Sequence, residues 1–227
     1  FAPFEAPLYN FRVSSGPQPK ADPSISLIAI DDSDAMTLED FPPFDIETHA
    51  RFLEALESLT PAGVGYLVNM NSVHQVNPEK FQSEWGQRFV DAAVRMESLG
   101  SPVILGTPFD VSGEILPPYP LSSLSHSIAV IHRDGNVFSQ DRVTRRALVS
   151  LFGKPAFHLL LARATGRIDS QAIPSGSMPL EGTDGSFFFF QYHGSTAVGE
   201  ELSTRSPYPV ISFADVLKGK LPKGSLK

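Results

Sequence analysis

Three short apolar runs, separated by segments with helical periodicity, constrain the fold of this chain more than any other feature. The runs lie at 25–30, 63–70 and 102–106, and turn residues bound each of them. Short apolar runs of this kind are typical of strands buried on both faces of a parallel sheet. Strands joined by helical crossovers build a layered α/β architecture with right-handed connections. The pattern therefore predicts an α/β fold with three layers, in which helices flank a mostly parallel central sheet.

Two helices are predicted between these strands. The first has Asp45 as its N-cap and carries apolar residues at helical spacing until Pro61. The second has Asn77 as its N-cap and Pro78 at the first helical position, and Gly100 ends it. Both helices have one apolar face, so we expect each to pack against the sheet.

The pattern changes in the second half of the chain. Asp134–Gly135 lies between two apolar segments and is a strong signal for the turn of an inserted β-hairpin. A helix is predicted to open at Pro155, a strand at 187–190 and a short turn of helix at 213–217. Since the sequence has no internal repeat and no low-complexity tract, we expect a single α/β domain.

The first 23 residues are predicted to lie outside this domain. Phe4, Leu8 and Phe11 fall on one face of a short helix, and a Pro-, Ser- and Gly-rich linker follows at 14–23. We therefore divide the chain into a helix and linker at 1–23 and an α/β domain at 24–227. Phe4 and Phe11, if exposed, would suit contact with a membrane or a partner.

Charge and composition exclude several function classes. The net charge is -7, with 25 acidic and 18 basic residues, which argues against binding to nucleic acid. The short basic cluster of Arg142, Arg145 and Arg146 is interpreted as solvated surface. The chain has no cysteine, so disulfides, thiolate metal sites and cysteine nucleophiles are excluded. The sequence contains no apolar run of the length that a membrane span needs.

Motifs for catalysis and for cofactors are missing from the sequence. There is no Gly-x-Ser-x-Gly, no phosphate-binding glycine-rich loop and no His-Glu-x-x-His, and the six histidines are scattered. We therefore expect no catalytic residues, no cofactor and no metal. Asp31 and Asp32 are candidates for a pair of acid and base groups, but adjacent residues on a strand point to opposite faces.

Ligands of open α/β sheets usually bind outside the carboxyl ends of the strands. The residues predicted to line such a crevice are Asp31, Asp32, Asn69, Asn71, Thr107 and His193. They would offer carboxylate, amide, hydroxyl and imidazole groups to a polar ligand. The alternative is that Asp31 and Asn69 cap helices or tie loops, because both side chains readily bond nearby backbone. Asp31, Asp32 and Asp34 could also hold a hard cation, although an acidic surface turn is the favoured interpretation.

The end of the chain carries the most specific motif. A strand that ends at Tyr192-x-Gly194 is followed, after a loop, by Ser-Phe-Ala-Asp-Val-Leu at 212–217 and Gly-Lys-Leu-Pro at 219–222. This stretch resembles the end of the type-2 CHASE domain, a bacterial sensory domain. Other matching segments extend the resemblance over about 4–227: Glu5-x-x-Leu8-Tyr9-x-Phe11, Ile28 to Ser33, Phe41 to Phe44 before His49-Ala50, and Asp134-Gly135 before Arg142.

Two features depart from the family pattern. Family members usually carry an Asp after the second strand, where this chain has Asn69-Met70-Asn71. The tryptophans of the proline-rich segment are replaced by Phe41 and Phe44. If either feature binds a signal in relatives, the signal of this protein differs or is absent.

The resemblance implies the outer sensory domain of a bacterial transmembrane receptor. Such a domain lies on the periplasmic or extracellular side of the inner membrane, between transmembrane helices that are outside this sequence. It detects a small molecule or an envelope protein and regulates a cyclase or kinase effector in the same chain, with homodimers possible in the full receptor. The family continues with one more strand, which this chain does not include.

Two alternatives of other classes stay open at this point. One is a stand-alone α/β hydrolase or metal-dependent enzyme that uses Asp31 and Asp32. The other is an interaction module that binds a protein partner through its loops. Membrane spans encoded on both sides of the chain would favour the sensor over the enzyme.

Overall fold

The computed structural model describes residues 8, 11, 15, 20–110, 113–131, 146–190, 206–221 and 226. The helices in chain order are α1 (Asp32–Leu38), α2 (Ile46–Glu57), α3 (Met70–Val76), α4 (Pro78–Phe81), α5 (Glu84–Ser98), a 3-10 helix (Leu121–Ser127), α6 (Phe157–Ala164) and α7 (Phe213–Leu217). The strands are β1 (Leu27–Ala29), β2 (Val64–Tyr66), β3 (Val103–Thr107), β4 (Phe109–Asp110), β5 (Gly113–Glu114), β6 (Ile128–Val130), β7 (Arg146–Leu151), β8 (Lys154–Pro155), β9 (Met178–Pro179), β10 (Ser186–Phe189) and β11 (Val210–Ser212).

Parallel strands form the part of the fold that the sequence pattern anticipates. Strands β2, β3 and β6 make a three-stranded parallel sheet in the order β2-β3-β6, and β3 is buried along its whole length. Strand β1 pairs in parallel with β11, so Leu27 lies opposite Val210 across a long sequence separation. The predicted α/β fold with parallel strands and flanking helices is confirmed.

An antiparallel sheet completes the architecture. Its four strands lie in the order β8-β7-β10-β9, and β4 and β5 form a separate antiparallel pair. The predicted phenylalanine-rich strand is β10, where Phe188 pairs with Ala147 of β7. The sequence alone did not indicate this pairing, because an apolar run does not distinguish parallel from antiparallel neighbours.

Helices cover both faces of the three-stranded sheet, as alternating residues of β2 show. A Cβ added at Gly65 would lie 2.9 Å from side-chain atoms of both Leu161 and Phe157, so α6 packs directly on the strand backbone. On the opposite face, the Tyr66 ring meets the Phe89 ring of α5 edge to face, with centroids 5.6 Å apart. The sheet therefore lies between helical layers.

The core between α2, α5 and α7 is rich in aromatic rings. Phe213 of α7 stacks on Phe52 of α2 at a centroid distance of 4.1 Å and an interplanar angle of 13°. Phe44, which is fully buried, also stacks on Phe213, with ring centroids 5.5 Å apart. The Ser-Phe-Ala-Asp-Val-Leu motif thus anchors the last helix through its phenylalanine.

The predicted helix from Asn77 to Gly100 is wrong in one respect, because it is two helices. Asn77 does cap α4, and its Oδ1 accepts a hydrogen bond from the Lys80 amide at 2.9 Å. The chain then breaks at Ser83, whose Oγ accepts from the Trp85 amide at 3.3 Å and starts α5. Serine side chains compete with the helix for backbone groups, so an interior serine can become a new N-cap.

Replacing Ser83 with alanine is expected to lower the free energy of unfolding by about 1 kcal/mol, the usual effect of losing an N-cap. Ser98 is a matched control, because its hydroxyl donates to the Arg95 carbonyl at the end of the same helix without capping an amide. Ser98→Ala should change the stability by a few tenths of a kcal/mol at most. Chemical denaturation measures both; equal losses in the two variants would contradict the capping role.

The other predicted helices are partly corrected. Asp45 caps α2 as expected, accepting from the Thr48 amide at 3.0 Å, but α2 ends at Glu57, before Pro61. The helix predicted from Pro155 is confirmed as α6, but it begins at Phe157 rather than at Pro155. Pro155 itself lies in β8 opposite Ser150, because the amide of Ala156 donates to the Val149 carbonyl of β7 and keeps the chain extended.

Several predictions fall on residues outside the described ranges. They are the Asp134–Gly135 hairpin, His193, Phe4, Arg142 and Arg145. In the predicted N-terminal helix, the described residues Leu8 and Phe11 have helical backbone and exposed side chains. The division of the chain at residue 23 stays a prediction.

Candidate functional site

A pocket of about 580 Å³ opens where the parallel strands end. One wall comes from β3 and from the segments that directly follow β2, β3 and β6: Leu67, Asn69, Gly106, Pro108, Phe109 and Ile131. The other wall comes from β7 and from the turns of the antiparallel sheet: Leu148, Leu151, Phe152, Leu180 and Thr183. The pocket therefore lies at the edge where α/β proteins usually bind ligands, between the two sheets.

The chemistry of the pocket is mostly apolar. Of the described lining residues, Asn69 and Thr183 carry polar side chains, and none carries a charge. Pockets with apolar walls and a few polar groups are typical of sites for small organic molecules. Such a pocket offers dispersion contacts and one or two hydrogen bonds, but no ion pair from the described residues.

Asn69 has two roles at this edge. Its Oδ1 accepts a hydrogen bond from the Asn71 amide at 3.1 Å and caps α3, which confirms the capping alternative. The same residue also lines the pocket, as the sequence predicted for a ligand-binding residue. Asn71 lies in the first turn of α3, behind the cap. Ligand binding by either residue stays a prediction.

Thr107 lies next to the pocket and bonds segments that flank it. It is buried at the end of β3, and its hydroxyl donates to the Ile115 carbonyl. Its own carbonyl accepts from the Ile131 amide at 2.9 Å. Thr107 is not among the described lining residues, and its hydrogen bonds hold in place two segments that flank the pocket.

Asp31 and Asp32 lie elsewhere, at the end of β1 in the two-stranded sheet. Asp31 caps α1, and its Oδ1 accepts from the Ser33 hydroxyl at 2.6 Å and the Ser33 amide at 2.8 Å. The Ser33 hydroxyl is the main cause that lowers the pKa of Asp31; burial opposes the shift, and the backbone amides of Ser33 and Asp34 support it. Asp32 is exposed in the first turn. Neither residue is among those described as lining the pocket.

Asp34 is the acidic residue of this region that the structure buries completely, with 0% exposure. One carboxylate oxygen accepts from the Asp31 amide at 2.9 Å. The other accepts from the Ser212 hydroxyl at 2.5 Å and the Ala214 amide at 2.9 Å. Asp34 therefore ties the start of α1 to the start of α7, which is capped by Ser212.

Sequence reasoning named Asp34 only as a possible cation ligand and missed this role. A usable signal was present, because Asp31 and Asp34 have the spacing of a capping box at the start of a helix. In the described ranges, no group of three histidine or acidic side chains is arranged to hold a metal ion.

A buried His–Tyr pair lies within the aromatic core, where the His49 ring meets Phe213 and the Tyr66 ring meets Phe52. His49 Nδ1 and the Tyr66 hydroxyl are 2.7 Å apart, and His49 is 0% exposed. Burial lowers the pKa of His49 to about 4, and the Phe44 backbone and the Asp45 carboxylate oppose this only in part. Burial also raises the pKa of Tyr66. Both side chains are therefore neutral at pH 7.

The chain is a mixed α/β domain, and its pocket lies at the carboxyl ends of parallel strands, where domains of this class usually bind ligands. Comparison with known families places the chain more narrowly. It belongs to the CHASE2 domain family, whose model matches residues 1–227. CHASE2 domains are extracytoplasmic sensory domains and are typically non-catalytic. No curated protein and no solved structure matches the chain.

None of the helices that the described residues form is both long and apolar enough to span a membrane.

Proposed function

We propose that this chain is the periplasmic or extracellular ligand-sensing domain of a bacterial transmembrane receptor. Membrane helices on both sides would hold it at the inner membrane, and a cyclase or kinase in the same chain would be its effector. The pocket between the two sheets carries this proposal, because it is where a small molecule can contact both sheets at once.

A ligand in this position can change the conformation of the domain. One wall belongs to the parallel sheet and the other to the antiparallel sheet. A ligand that fits one arrangement of the two walls better than another shifts the population toward the better-fitting state by its difference in affinity. Sensing of this kind needs no covalent step.

The pairing of β1 with β11 supports a route from the domain to its effector. The two strands lie 183 residues apart at Leu27 and Val210, yet they are parallel neighbours. Asp34 fastens the helix after β1 to the helix after β11. A rearrangement of either strand therefore moves both the early and the late part of the chain, and a receptor homodimer would pass this movement to its effectors.

The location can be tested by cysteine labelling in intact cells, since this chain has no cysteine of its own. Ser170→Cys places a thiol at an exposed position, and Ala50→Cys places one in the core. In the full-length protein, cleared of other cysteines, a membrane-impermeant maleimide should label Ser170→Cys without lysis. Ala50→Cys should react only after denaturation. Labelling of Ser170→Cys that requires lysis would overturn the proposed location.

A further inference from the structure

Phe152 has an unusual backbone conformation at the edge of the pocket. Its φ is 51°, and Gly153 follows with a φ of 71°. The two residues form the turn between β7 and β8, where Leu151 pairs with Lys154. Hairpin turns with two positive φ values favour Asn-Gly, because a bulky side chain is strained in this region.

The strain at Phe152 is not offset by burial of its ring. The side chain is 63% exposed, although it belongs to a large aromatic residue. Its ring stacks on Phe109 with centroids 5.9 Å apart and an interplanar angle of 30°. Its amide donates to Asp184 Oδ1 at 2.8 Å, which fixes the turn. Strained residues that persist in a fold are concentrated at binding and active sites.

Both rings of this pair line the pocket. Phe109 comes from the segment after β3 and Phe152 from the antiparallel sheet, so the pair bridges the two walls. Aromatic rings held in this way provide a flat, rigid contact surface for a ligand at low entropic cost.

We propose that the pocket binds an uncharged, largely apolar organic molecule with one hydrogen-bonding group, and that Phe109 and Phe152 are its aromatic contact surface. The inference rests on the proposed function in assigning the ligand to the same pocket. Asn69 and Thr183 are the polar lining residues that could meet the hydrogen-bonding group.

The charges near the pocket support an uncharged ligand. The neighbouring cavity of about 210 Å³ is also lined by Phe109 and Phe152, and it contains Lys154 and Glu114. Lys154 Nζ lies 2.7 Å from Glu114 Oε2, so these two charges neutralise each other. Moving a charged group from water to an apolar wall without a partner is unfavourable.

The size of the pocket agrees with a small molecule. A volume of about 580 Å³ lies within the range of roughly 300–1,000 Å³ that is usual for sites of drug-sized ligands. A single ion would leave most of the apolar wall without contacts.

Two fluorescent probes with the same aromatic frame test the proposal. N-phenyl-1-naphthylamine is uncharged and has one N–H group, and 8-anilinonaphthalene-1-sulfonate adds a sulfonate to that frame. We expect saturable 1:1 binding of the uncharged probe to the chain, and at least tenfold weaker binding of the sulfonate. Equal affinity for both probes, or saturable binding of neither, would overturn the proposal.

Phe152→Asn locates the bound probe. The substitution creates the preferred Asn-Gly turn, so the melting temperature should stay the same or rise, while affinity for the uncharged probe falls at least fivefold. Phe41→Asn is the matched control, because Phe41 is 82% exposed and lies away from the pocket. Its binding should equal that of the unsubstituted chain.

Leu67→Ser provides a second test that does not depend on the turn. Leu67 lines the pocket and is 60% exposed, so its replacement should leave the fold intact and weaken the uncharged probe. Unchanged binding in both Phe152→Asn and Leu67→Ser would place the probe elsewhere and refute the site. The cysteine labelling described above is independent of this result, so the failure of one proposal can be told from the failure of the other.

Discussion

Replacing Asp34 with alanine is expected to lower the free energy of unfolding by about 3 kcal/mol, because hydrogen-bond donors that meet its carboxylate lose their acceptor. The carboxylate accepts three hydrogen bonds: from the Asp31 amide, the Ser212 hydroxyl and the Ala214 amide. Alanine removes both acceptor oxygens at once, and the buried Ala214 amide loses its partner. An unsatisfied buried donor typically costs about 1–3 kcal/mol.

Asp34→Asn should have a smaller effect than alanine. Asparagine keeps the shape and one acceptor oxygen, but its NH₂ group then faces a backbone donor. Asp32→Asn is the matched control, because Asp32 lies two positions away in the same helix turn and is exposed. Its stability should change by no more than about 0.5 kcal/mol. Chemical denaturation at pH 7 measures all three variants; a loss below about 1 kcal/mol for Asp34→Ala would show that the network is dispensable.

Acidification is expected to destabilise the protein by about 3 kcal/mol through His49 alone. The unfolded histidine takes up a proton near its ordinary pKa of 6.5, whereas the buried side chain has a pKa of about 4. Between these values the unfolded state binds more protons, so stability falls by about 1.4 kcal/mol for each pH unit. Above pH 6.5 the contribution is fully present, and below about pH 4 it no longer changes.

Asp31 and Asp45 affect the stability at lower pH than His49 does. Asp31 and Asp45 have pKa values lowered from 3.8, so their contributions are lost only as the pH falls below that value. Burial opposes the shift of Asp45, but hydrogen bonds from Lys80 and Thr48 together outweigh it. The contributions of these two carboxylates are therefore lost at lower pH than that of His49.

His49→Gln is the variant that isolates this effect, because glutamine can still bond the Tyr66 hydroxyl but does not titrate in this range. Its stability should be nearly flat between pH 6.5 and 4, while His126→Gln, at a 61% exposed histidine paired with Glu97, should keep the slope. An NMR titration of the unsubstituted protein gives the pKa of His49 directly. A value near 6.5 would contradict the buried neutral state.

The sequence was sufficient to predict local elements that depend on the chemistry of a few neighbouring residues, such as N-caps and buried strands. Asp45, Asn77 and Asn69 are N-caps in the structure because short polar side chains accept hydrogen bonds from free amides at helix starts. The strands β2 and β3 were visible as apolar runs, and β3 is indeed buried throughout. The break at Ser83 could not be predicted, since a serine inside a helical pattern can either continue the helix or act as the N-cap of a new one.

The pairing of the strands and the geometry of the pocket could not be predicted from the sequence. The apolar sequence of the strand at 186–189 is compatible with a parallel or an antiparallel sheet. The structure shows that this strand is antiparallel to its neighbour β7. The sequence also could not show which of the predicted ligand-binding residues line the pocket. Asn69 lines the pocket, whereas Asp31 and Asp32 lie just after β1, which pairs with β11.

The amino-acid sequence by itself determined the α/β class, the principal caps and membership of a sensory domain family, because these follow from periodicity and from short motifs. Tertiary structure alone decided that Asp34 would be buried against Ser212 and that Phe109 would meet Phe152 at an apolar pocket. Both contacts join residues far apart in the chain. Whether these residues meet depends on how whole sheets and helices pack, and local sequence patterns do not predict that packing.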